Sequence, residues 1–192
     1  LPASSTFPFT GDAVITGSLL ISGSQAFRVD TDDIIIGANA GAALDSDTTS
    51  YNVLIGSDAG ATIVDGEENV AIGQGAMSLA AVGVDWNVAI GYLAGRDMAA
   101  NYNVAIGYQA LFDGAGGAGQ NVAIGYKAGA VHAGANAVFI GSETGKNSTN
   151  ASNSVMVGDM IGYAGAIGAE NVLIGSQINA AGGAANATKN CI

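Results

Sequence analysis

A five-residue phrase recurs along most of this chain, and its spacing constrains the fold more than any other feature. Aligned on the glycine that closes an apolar triplet, the copies are DIIIG ending at Gly37, NVLIG at Gly56, NVAIG at Gly73, Gly91, Gly107 and Gly125, AVFIG at Gly141, SVMVG at Gly158 and NVLIG at Gly175. Successive glycines stand 16 to 19 residues apart. A period of about 17 is too short for the common helical repeats and rules out a helical solenoid.

Within each copy, Val and Ile favour a strand, Gly stops it, and x-x-Ala-Gly usually follows, as in YLAG at 92–95 and YKAG at 126–129. The rest of each unit is rich in Gly, Ala, Asp and Asn, and ATIV at 61–64 and AAV at 80–82 predict a short return strand before a second turn. One coil per repeat follows. The expected fold is all-β, a β-solenoid or β-roll of about nine coils of about 17 residues, hydrogen-bonded to the coils above and below.

Alternation along a strand puts Val and Ile of NVAIG on one face, and Asn and the middle residue on the other. The middle position reads Ile35, Leu54, Ala71, Ala89, Ala105, Ala123, Phe139, Met156 and Leu173, never a charge, so both faces are apolar. The pattern assigns Val and Ile to the coil interior. The second face then needs another cover, and identical chains packed or intertwined about a threefold axis supply it, predicting a homotrimer.

Three further columns run through the repeats. Gly56, Gly73, Gly91, Gly107 and Gly125 mark a corner with positive φ or a close backbone approach. Asn52, Asn69, Asn87, Asn103, Asn121 and Asn171 would stack at about 4.8 Å and bond along a ladder. Tyr51, Trp86 and Tyr102 each precede the Asn, while Tyr92, Tyr108 and Tyr126 follow the Gly. These six are either stacked rings sealing a coil edge or a stripe that contacts a receptor or glycan.

Charge and motifs exclude several classes. With 16 acidic against 5 basic residues and a net charge of −11, a grip on nucleic acid or anionic lipid is not expected. No apolar run nears the roughly 20 residues of a membrane helix, so no membrane insertion is expected. His132, the single histidine, lies in AVHAGAN and reads as a solvent-facing loop residue. DTDD at 30–33 lacks the glycine and terminal acid of an EF-hand, and Asp45/Asp47 and Glu67/Glu68 read as solvated turn acids. No catalytic residue, metal site or cofactor is expected, and the chain reads as a non-enzyme. It starts at Leu1 without Met, which suggests a processed product or a fragment.

NVAIGYQAL…NVAIGYKAG resembles the N-x-A-I-G-Y-x-A repeats of bacteriophage tail-fibre and related surface proteins, and is similar to the S/N-V-A-I-G repeats of trimeric autotransporter adhesin heads. The likeness spans residues 33–179, and the period of about 17 favours the phage-like branch. It implies a homotrimeric solenoid and a structural or adhesive fibre protein, located in a virion or at a cell surface, whose partners are a host-surface receptor or glycan and other virion or filament proteins. A self-assembling subunit of an extracellular filament, or an adhesin head, is the alternative. Residues 1–10 read as an N-terminal arm, 11–32 as a β-strand lead-in module, 33–179 as the repeat domain and 180–192 as a cap or tail. Side loops at 44–51 and 112–119 suit side-on recognition.

Overall fold

The structure, a computed structural model, describes residues 18–21, 24–29, 32–44, 50–113, 119–163 and 167–178. The N-terminal arm, the tail after Ile178 and the centres of the two side loops lie outside the described residues. β1 (Ser18–Ile21) and β2 (Ser24–Val29) pair antiparallel, and β2 pairs antiparallel with β3 (Ile34–Ile36). From β3 onward every neighbour is parallel and in register: β4 (Val53–Ile55), β5 (Val70–Ile72), β6 (Val88–Ile90), β7 (Val104–Ile106), β8 (Val122–Ile124), β9 (Val138–Ile140), β10 (Val155–Asp159) and β11 (Val172–Ser176). The protein is an all-β parallel solenoid with about eight turns of about 17 residues, and no helix among the described residues.

The expected return strands at 61–64 and 80–82 do not form; those stretches are turn and irregular backbone. Left-handed residues recur too closely for an extended run. In one coil Asp58 and Gly60, with φ of 59° and 60°, each reverse the chain. The backbone there spirals through bonds such as Ala59 N–H to Gly56 O and Ile63 N–H to Gly60 O. Other donors reach neighbouring coils, as Asp58 N–H does to Ala38 O and Gly60 N–H to Ala76 O, both at 2.8 Å. Turn and strand alike are bonded up and down the rod, as buried backbone requires.

The two faces of the strand are the reverse of the sequence expectation. Ala71, Ala89, Ala105, Ala123, Phe139 and Met156 are fully buried inside the coil, whereas the flanking Val and Ile face outward and are half-buried or exposed. The physical reason is volume. A coil with turns this tight has room for one inward residue per strand, and the turn supplies the rest of the core through residues such as Ala59, Ile63, Met77, Met98 and Ile161. Size is balanced across this core. Phe139, the largest inward strand residue, lies against Gly129, where a β-carbon would come within 2.8 Å of the Phe139 ring.

The glycine closing each strand is required on two counts. At Gly73 φ is +127°, and a β-carbon would meet the Gly91 carbonyl oxygen of the next coil at 2.5 Å. Coils can stack only because this column has no side chains.

Candidate functional site

Turn chemistry places three sets of side chains in register along the rod. The first is internal. Asn69 N–H donates to Asn52 Oδ1 at 2.9 Å, Asn87 to Asn69 at 3.1 Å, Asn103 to Asn87 at 2.8 Å and Asn121 to Asn103 at 3.0 Å. Several of the side-chain amides also satisfy turn carbonyls, as Asn52 Nδ2 does by donating to Gly66 O and Asn69 Nδ2 to Val84 O, while Asn87 Nδ2 donates to Asn69 Oδ1. Asp33 begins the series, its carboxylate accepting from Asn52 N–H at 2.6 Å and from the Ser50 hydroxyl at 2.8 Å. Ser154 stands in for Asn near the far end, accepting from Asn171 N–H at 3.0 Å. All six predicted Asn residues are buried, so none is available to a ligand from outside.

The second set stands at the corner before the Asn: Tyr51, Glu68, Trp86, Tyr102, Gln120, Asn136, Asn153 and Glu170. All are left-handed, with φ between 50° and 67°, which turns each side chain out of the coil. Trp86 and Tyr102 stack at 4.9 Å and 6°, and Trp86 Nε1–H donates to Glu68 Oε2 at 2.9 Å. Tyr51 is separated from Trp86 by the Glu68 coil and stacks on neither ring. The third set follows the Gly: Tyr92 stacks on Tyr108 at 5.2 Å, and Tyr108 on Tyr126 at 5.3 Å. Stacking covers ring faces and leaves edges and hydroxyls exposed, so a sugar seeking an aromatic platform would find free faces only at the column ends.

Comparison with family models, with curated proteins and with solved structures gives no match in any of the three.

Beside Tyr92, a shallow groove of about 400 Å³ is lined by Asp58, Thr62, Gln74, Ser78, Leu79 and Leu93. Two of its polar groups already serve the fold: Thr62 Oγ1 donates to Ala80 O, and the Asp58 carboxylate accepts from Asn39 and Ser57. Among the described residues no three His, Cys, Asp or Glu side chains group to hold a metal, and no helix is long and apolar enough to cross a membrane.

A continuous apolar surface runs along side chains that the sequence pattern assigns to the interior. From β3 to β11, the apolar triplet of each strand turns two side chains outward, and every one of these is Val or Ile; β10 and β11 run on past the closing glycine to the exposed Asp159 and Ser176. Ile34, Ile124, Ile140, Val172 and Ile174 are each more than a third exposed. His132 is the other reversal: it is 2% exposed, packed edge-on against Phe139 with ring centres 4.8 Å apart. The residues three positions after Gly41, Gly60 and Gly95 are the buried Leu44, Ile63 and Met98. Aligning His132 on Gly129 in the same way would have placed it in the core.

Proposed function

We propose that the chain forms the shaft of a fibre, in a virion or at a cell surface, in which three copies associate through their Val/Ile faces and present corner columns and side loops to a host-surface receptor or glycan. The observation that carries this reading is the outward face itself: paired β-branched apolar residues on nine successive strand triplets, with the one strand charge, Asp159, past the closing glycine of β10, on a chain of net charge −11. At strand spacing the face is about 38 Å long and, taken as about 15 Å wide, offers on the order of 550 Å². That approaches the roughly 800 Å² per partner of a stable interface and equals the largest apolar patches of ordinary monomers. A second copy carries the same rung spacing, so its ridges fit between these ridges along the whole length. The rod contributes stiffness and display, and chemistry on a substrate is no part of the role.

Sedimentation equilibrium of the whole chain at micromolar concentration tests the assembly. The expected mass is three times the 18.8 kDa of one chain. A folded species of single-chain mass contradicts the proposal.

A further inference from the structure

The core of the solenoid holds one titratable ring. His132 occupies the inward column that elsewhere carries Leu44, Ile63 and Met98, and continues at Ser148. Its Nδ1–H donates to Ser148 O of the next coil at 2.8 Å, which fixes the neutral tautomer with the proton on Nδ1. Nε2 is buried and has no hydrogen-bond partner. The Gly134 backbone lies against it, and the Gly134 carbonyl already accepts the Asn121 side-chain amide at 2.8 Å.

Among the described residues, the groups facing the ring are Gly134 of its own coil, Ser148 of the next and the Phe139 ring of β9, none of which titrates. The charged residues of these coils, Asp113, Lys127, Glu143 and Lys146, are partly or fully exposed, and Glu143 pairs with Lys146 at 2.7 Å. No carboxylate therefore waits to receive a proton-bearing imidazole. Burial pushes the imidazole below its ordinary range, with the Ser148 and Gly134 backbone pulling it partly back.

We propose that His132 is an acid-sensitive latch for the coils between Gly129 and Ser152: proton uptake on Nε2 places a charge in the core and opens these coils while the rest of the solenoid stays closed. A repeat fold permits such local opening, because each coil contacts only its neighbours. The direction follows from linkage. The open coil takes up a proton below its ordinary value of about 6.5, and the closed coil does so only at lower pH, so closure is fully favoured above about 6.5 and weakens as pH falls below it.

The test is backbone hydrogen exchange on the whole chain at pH 7.5 and 5.5, corrected for intrinsic rates. Protection at Val131, His132, Ala133 and Ser148 should drop about tenfold relative to Asn87 and Asn103. In His132→Met, which restores the side-chain type of Met98, that relative drop should vanish. An equal drop in both proteins overturns the proposal. Should the variant fold poorly, the ring proton resonances of the unmutated chain decide: titration below 6.5 supports the latch, and titration at or above 6.5 refutes it.

Discussion

Asn87 donates its backbone N–H to the side-chain oxygen of Asn69, one coil earlier, at 3.1 Å. The same bond joins the Asn residues of every coil from Asn52 to Asn121, so each side chain satisfies a buried donor on the next coil. Asn87→Ala would orphan Asn103 N–H and should cost about 1–3 kcal/mol, measured by urea denaturation. The exposed Asn150→Ala should stay within about 0.5 kcal/mol. Equal effects would deny the ladder its role.

Two glycine substitutions should differ sharply. Gly73→Ala meets a neighbouring carbonyl and a φ closed to side chains, so it should cost more than about 4 kcal/mol or prevent folding. Gly83 also has a positive φ, of 68°, but has open space around it. Gly83→Ala should cost only about 1–2 kcal/mol. Thermal melts of the two variants check the contrast.

Tyr108 lies between two rings, whereas among the described residues none stacks on Tyr51. Tyr108→Ala should destabilise by about 1–3 kcal/mol through two lost stacking contacts, and Tyr51→Ala should leave the melting point nearly unchanged. Because Trp86 is the only tryptophan, Tyr102→Leu can be read directly as a change in its fluorescence.

The coil period was legible because Gly recurs wherever backbones meet, and that requirement tolerates no substitute. The facing of the strand was not, since alternation between two apolar faces leaves inside and outside undetermined. Two signals bear on it. The outward columns are uniformly Val and Ile, while the middle residue varies from Ala to Phe as a core matched to its turns would. The middle residue also shares its face with Asn, and a ladder that satisfies buried N–H groups belongs inside. The return strand failed because strand propensity at ATIV is overridden by left-handed residues just before it, Asp58 and Gly60. The corner columns and the stacking of their rings were both visible from spacing, because residues at one position of successive coils stand one coil apart; the break between Tyr51 and Trp86 follows from Glu68 at the coil between them.

The central claim is that copies meet through the Val/Ile face while the Ala column fills the coil. Sedimentation velocity, with circular dichroism on the same samples, separates the two directly for Ile90→Asp/Ile106→Asp and for Ala105→Asp. The outward pair should keep the β-sheet spectrum and sediment as single chains. Ala105→Asp, which buries a carboxylate in the coil, should lose the spectrum itself. An outward pair that still assembles like the unmutated chain, or an Ala105→Asp chain that stays folded as a monomer, would contradict the account.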